Sequence, residues 1–271
     1  MLARNCALLF VLATVAAEQA PGIKGPLLQQ ALELSGCDQQ MRQTFAIVYA
    51  LIDQPLAARE REIGYSDSDL QQIRSLLKST LNADALYVKW KGALEMRIDD
   101  RSLTGVVRWY GLPLGRRIVA LEGRAGTSVG IAEAQNYAAT LRKSPPTRQR
   151  LQLARQYEEV TNFTDLTQWF SAGMLRSLAK GLAAAASSKF PSAYFDSLAN
   201  KAEADGGVAV REGSTATVLH IYRSLTDEEF KQYITFLASP EGKRFTADGT
   251  SAFKEIMDGA LEQLGRKIGR I

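Results

Sequence analysis

The sequence predicts an all-α protein of two tandem, related helical modules. Three observations carry that reading. Apolar residues recur at helical rather than alternating spacing along most of the chain. The punctuation between those stretches is helix-capping and helix-stopping chemistry. One cap–helix–corner pattern occurs twice. At 271 residues the chain is long enough for one large domain or two small ones, and its 46% apolar content is that of an ordinary packed protein.

The chain begins with what reads as an export signal. Arg4 supplies the positive start, Cys6–Ala16 is a continuous apolar run, and Val15-Ala16-Ala17 offers small residues to a peptidase, so cleavage is expected between Ala17 and Glu18. The run is shorter than the roughly 20 residues that cross a bilayer; an uncleaved anchor is the alternative. A periplasmic or secreted address follows. Loss of Arg4 with the leader takes the net charge from +4 to +3, and the bases are scattered, which excludes a nucleic-acid footprint while leaving a weak preference for anionic surfaces. Of the two cysteines, Cys6 leaves with the leader. Cys37 then has no internal partner, and reads as a small buried side chain or a free thiol.

The expected elements follow in order. Pro26 opens a helix carrying Leu27, Leu28, Ala31, Leu32 and Leu34, closed by Gly36. Asp38–Gln54 continues as a second helix, with Phe45, Val48, Tyr49 and Ile52 on one side and Pro55 as its stop. Ser66-Asp67-Ser68-Asp69 caps a third, and Ala83–Arg97 forms a fourth. Gly123–Gly126 is a break. Lys143–Pro146 is a stronger one, and divides the mature chain into residues 18–145 and 146–271. A helical pattern covers Asp165–Ser187, and Asp205–Gly213 reads as a loop, with room for a short strand at Val208–Val210. Thr226-Asp227-Glu228-Glu229 is a capping box ahead of Phe230, Tyr233, Ile234 and Leu237. Ser239-Pro240-Glu241-Gly242 then makes a corner, and a last helix carries Phe253, Ile256, Met257, Ala260 and Leu264 on one face.

The same hairpin pattern stands 127 positions earlier. Leu103, Val106, Val107 and Tyr110 repeat the apolar face, Trp109 matches Phe236, and Asp99 takes the cap position of Thr226. Pro113, Gly115, Arg116, Arg117 and Ile118 match Pro240, Gly242, Lys243, Arg244 and Phe245. Leu225–Phe230 followed by Phe236–Lys243 resembles the signature of a secreted bacterial family known as domain of unknown function 2059, best over Arg150–Gly269. The first half departs from it, with Leu112 and Leu114 in place of Ser239 and Glu241, and Gly123 cutting its second helix short. The resemblance implies an all-α fold and an exported address, and no reaction.

Bases in the first turn of a helix oppose its dipole, yet both corners keep two. Lys243 with Arg244, and Arg116 with Arg117, either reach the last carbonyls of the preceding helix or form an anion or lipid-headgroup site with the helix N–H groups. Gly126-Thr127-Ser128-Val129-Gly130 matches the nucleophile elbow G-x-S-x-G. Ile118–Leu121 stands before it as a possible strand, and Asp196, Asp205 and His220 follow in the order of a hydrolase triad. The competing reading is a turn between helices, with His220 as a core residue. A lone histidine and one mature cysteine exclude a structural zinc site, and no nucleotide or cofactor motif occurs. Capping and the helix dipole account for Asp227, Glu228 and Glu229, against which a carboxylate pair for glycoside chemistry is the alternative. Tyr157, Phe163, Trp169, Phe170, Phe190, Tyr194 and Phe195 form an aromatic-rich middle, read as core or as the lining of an apolar groove. The expected function is non-catalytic binding or interaction in the cell envelope, with an envelope protein or anionic lipid headgroup as partner. The alternative is an envelope hydrolase using Ser128 and His220 or a carboxylate pair.

Overall fold

The computed structural model describes residues 24–58, 66–185 and 192–271. The leader Met1–Ala17, its cleavage point at Ala17 and Glu18, and Phe190 lie outside the described residues. Among the described residues there is no strand. The helices are α1 (Lys24–Leu34), α2 (Cys37–Ala58), α3 (Asp67–Thr80), α4 (Ala83–Arg97), α5 (Asp100–Tyr110), α6 (Pro113–Ala125), α7 (Ser128–Lys143), α8 (Arg148–Thr161), α9 (Phe163–Gln168), α10 (Met174–Ala183), α11 (Ser192–Ile221), α12 (Asp227–Ala238) and α13 (Pro240–Ile268). A π-helical turn, Trp169–Gly173, joins α9 to α10.

Caps set most of the boundaries. Ser66 and Asp69 form a reciprocal capping box on α3, and Thr226 and Glu229 form one on α12. Asn82, Asp99, Thr127, Thr147 and Ser239 each accept a backbone N–H at the start of their helix. Gly36 turns the chain between α1 and α2 at φ +73°, where a side chain would be strained.

Four expected boundaries differ. α1 starts at Lys24, so Pro26 falls inside its first turn, where its missing N–H would have had no helical partner. α2 runs through Pro55 to Ala58, because near a helix end a proline removes a bond that fraying already weakens. The helix expected to reach Ser187 ends at Ala183, and a π turn interrupts it. Residues 205–213 are not a loop with a strand: α11 is continuous over 30 residues. Its packing against α7, α8, α9 and α10 outweighs the local cost of its glycines.

α13 is the central strut. It packs against α10, α5, α4, α3 and α12. The buried core is continuous, running from Leu28, Phe45 and Leu94 in the first half to Tyr222, Phe230 and Met257 in the second. α1 lies on α5 as α8 lies on α12, and each hairpin turns the same kind of corner. At both corners a glycine stands three residues after the cap, pressed on the backbone of the preceding helix. A Cβ on Gly115 would lie 2.5 Å from the Trp109 carbonyl oxygen, and one on Gly242 would lie 2.2 Å from that of Phe236. The two hairpins meet where Trp109 stacks on Phe236, with ring centroids 4.3 Å apart and planes 9° from parallel.

Gly242→Ala is therefore expected to destabilise the protein by about 1–3 kcal/mol, because the backbone must move to admit the methyl group. Gly259→Ala, on the exposed side of the same helix with nothing within 4 Å, should stabilise by about 0.5–1 kcal/mol through helix propensity. Urea unfolding of the two variants checks the pair; equal effects would show that the corner is not tight.

Candidate functional site

Helix α6 has one acid, Glu122, one turn beyond the fully buried Ile118. That spacing puts Glu122 on the core-facing stripe. Four tyrosines converge on it from four other segments: Tyr110 at the end of α5, Tyr157 on α8, Tyr222 just after α11, and Tyr233 on α12. The Tyr222 hydroxyl donates to Glu122 Oε1 at 2.6 Å and the Tyr233 hydroxyl to the same oxygen at 2.8 Å. The Gln40 side chain also hydrogen-bonds to the carboxylate. The hydroxyls of Tyr222 and Tyr157 are 3.0 Å apart, and those of Tyr110 and Tyr233 are 3.5 Å apart.

Burial raises the carboxyl of Glu122 above its ordinary value, and the bonds from Tyr222, Tyr233 and Gln40 pull it back. Burial also raises the hydroxyls of Tyr110, Tyr157, Tyr222 and Tyr233, and the charge of Glu122 adds to this. The tyrosines are thus fixed as neutral donors.

This cluster forms one wall of a cavity of about 900 Å³. Glu122 and Tyr157 present part of their surface to that space although protein surrounds them. The remaining wall is largely apolar, including Trp90, Leu94, Leu166, Leu237 and Phe253. Tyr157, Phe163 and Phe170 of the aromatic-rich middle also line it, Phe170 from the π turn, while Trp169 packs edge-on against Phe253. Pairs of positions 127 apart line the cavity together: Trp90 and Thr217, Leu94 and Ile221, Tyr110 and Leu237, Glu122 and Gly249, Gly126 and Phe253. Among its described lining residues Glu122 is the one carboxylate, and there is no Lys, Arg or His. Cys37 lines the same space, where burial pushes its thiol up to about 11.

The corner bases are engaged differently from either expectation. Arg117 bonds Glu229 at 2.7 Å and donates to the Ser224 carbonyl, at the entrance to the other hairpin. Arg244, 127 positions later, donates to the Arg97 carbonyl at 2.9 Å and pairs with Asp248 at 2.6 Å. The two carbonyls, Arg97 and Ser224, are themselves 127 positions apart. Each arginine thus reaches the backbone that leads into the other hairpin, and Arg244 also pairs with Asp248 on its own helix. Arg116 and Lys243 are exposed, and Pro113 and Pro240 are the first residues of α6 and α13.

The elbow motif resolves into a third corner. Ile118–Leu121 are helix, not strand. Thr127 caps α7, Ser128 is the first residue of that helix, and a Cβ on Gly130 would lie 2.3 Å from the Arg124 carbonyl oxygen. His220 is buried beside Glu133, with Nε2 3.6 Å from the carboxylate, and Arg124 and Arg223 also hold Glu133. Burial and then Arg223 lower the histidine, so it is neutral at pH 7. No group of three or more potential metal ligands occurs among the described residues. No family model, curated protein or solved structure matches the chain.

The glutamate–tyrosine cluster has no local motif. The available signal was an acid one turn from Ile118 on an otherwise apolar helix face.

Two outcomes are expected. Below the ordinary carboxyl value of 4.5, Glu122 is protonated both folded and unfolded. As pH rises, the unfolded chain loses that proton first, so wild-type stability falls relative to Glu122→Gln through the ordinary value and on through the raised folded one. The difference in urea midpoint between the two proteins should therefore be smallest in acid and favour the glutamine variant at neutrality; a pH-independent difference would contradict the burial of this charge. Secondly, with Cys6→Ser leaving Cys37 as the sole thiol, alkylation by iodoacetamide at pH 8 should be about a hundredfold slower than in urea-unfolded protein. Equal rates would mean an open thiol.

Proposed function

We propose that the protein is an exported binding protein of the cell envelope that acts without catalysis, enclosing an apolar small molecule in the cavity between its hairpins. The observation behind this reading is the cavity. At about 900 Å³ it falls in the upper part of the range of small-molecule sites, and it far exceeds the voids of a close-packed core. Its largely apolar wall with one polar end suits a ligand with a hydrocarbon body and a single polar group. The exported address rests on the leader read in residues 1–17. Among the described residues no helix is long and apolar enough to cross a membrane. A lipid-headgroup site at the corners has less support, since Arg117 and Arg244 are already paired with carboxylates and carbonyls. A hydrolase has less support as well: the segment before Ser128 is helical, and salt bridges from two arginines hold the carboxylate nearest His220.

The two hairpins are, in the same proposal, copies of one unit within residues 18–145 and 146–271, akin to domain of unknown function 2059. The matching corner glycines, the stacking of Trp109 on Phe236 and the reciprocal reach of Arg117 and Arg244 support it. So does the lining of one cavity by residues 127 positions apart.

Native mass spectrometry tests the binding reading on protein exported with its own leader and purified without detergent or organic solvent. A bound small molecule, released on unfolding and extractable into organic solvent, is expected. A chain of bare protein mass that also fails to enhance the emission of a solvatochromic apolar dye would sink it.

A further inference from the structure

We propose that the ligand of this cavity is a lipophilic cation, an organic ammonium whose charged head sits at Glu122 and whose hydrocarbon body fills the apolar space. The inference rests on the binding reading above and adds the chemical class of the ligand.

Glu122 is a carboxylate enclosed in protein with hydrogen-bond donors but no counter-ion. Tyr222, Tyr233 and Gln40 all bond to it, and neither lysine, arginine nor histidine is among the described residues that line the cavity. This local charge stands out because the protein as a whole is basic. Several other carboxylates are paired with arginine, as Glu229, Glu133 and Asp248 are. The two hydroxyls that donate to one of its oxygens favour the ionised form, which burial opposes.

A buried charge with donors but no opposite charge is only partly compensated. A fatty-acid head would add a second negative charge beside it. An alcohol would supply one more hydrogen bond and leave the net charge in place. An ammonium head would cancel it. The rest of the cavity offers Leu94, Leu237 and Phe253 to an alkyl chain.

Calorimetric titration of the whole protein with dodecyltrimethylammonium, dodecanol and dodecanoate, each below its aggregation threshold, tests the assignment. Glu122→Gln and Gly249→Leu serve as variants. Gly249 lies in the cavity wall with nothing within 4 Å of the position of a Cβ, so leucine there fills the binding space without a clash at the backbone. The cation should bind wild type about tenfold or more tightly than the alcohol, and dodecanoate should bind weakest. Glu122→Gln should lose the preference for the cation and keep the alcohol. Gly249→Leu should weaken both.

Equal binding of cation and alcohol by wild type overturns the cation assignment and leaves the binding reading standing. The same follows if Glu122→Gln retains the preference. Undiminished cation binding by Gly249→Leu places the ligand elsewhere and overturns it too. If none of the three amphiphiles binds wild type, the binding reading fails and the assignment with it. Circular dichroism of both variants, matched to wild type, excludes misfolding as the cause of a loss.

Discussion

Trp109 and Phe236 lie face to face at the join of the two hairpins, and the architecture is arranged about that contact. Each ring stands at the end of an amphipathic helix whose other apolar residues turn inward. The stack ties α5 to α12, while α5 packs along α13. The next residue on α5, Tyr110, is then held edge-on to Phe236, while Tyr233, one turn back on α12, stacks on Trp109. These are two of the four tyrosines around Glu122. The contact that joins the halves therefore also positions half of the polar cluster. Arg117 and Arg244 fasten the same arrangement from outside, each crossing to the backbone that leads into the opposite hairpin. Both are substantially exposed, so their ion pairs contribute little energy individually. Their contribution is to register: a rotation of one hairpin against the other breaks both at once.

A join of this kind leaves a space. Residues that pack within each hairpin need not fill the gap between the two. The cavity lies there, bounded by pairs such as Leu94 with Ile221 and Tyr110 with Leu237. An entirely apolar cavity of this size would weigh against folding through lost packing contacts. Placing an ionisable group in its wall adds a desolvation cost. Neither feature stabilises the empty protein, and both are of use once the space is occupied.

Much of the fold was legible because it is written in local chemistry. The boxes at Ser66–Asp69 and Thr226–Glu229, and the corners at Pro113–Gly115 and Pro240–Gly242, depend on residues within one turn of each other, and the structure keeps them as expected. Expectations failed where distant packing overrides local preference. The glycines and charges of residues 205–213 read as a loop, but four helices pack along α11 and hold it continuous. For the corner bases the sequence offered the carbonyls of the preceding helix or an external anion, whereas Arg117 and Arg244 also find partners more than a hundred residues away. The site was the least legible part. Tyr110 and Tyr233 stand on the apolar faces read from the sequence and Tyr157 in its aromatic-rich middle, but convergence with Tyr222 on one carboxylate is a property of the tertiary fold and leaves no spacing in the chain.

The departure from symmetry is as informative as the symmetry. In the same lining, 127 positions after Glu122, stands Gly249, whose carbonyl accepts the Trp90 indole N–H at 3.0 Å. Had both positions carried an acid, two carboxylates would share one low-dielectric space, and one of them would have to hold a proton. Had both been glycine or apolar, the cavity would have no polar end to orient a ligand. One acid and one glycine leave a single ionisable group in the lining. Residues of both hairpins form the lining together, and Glu122 is its one carboxylate among the described residues.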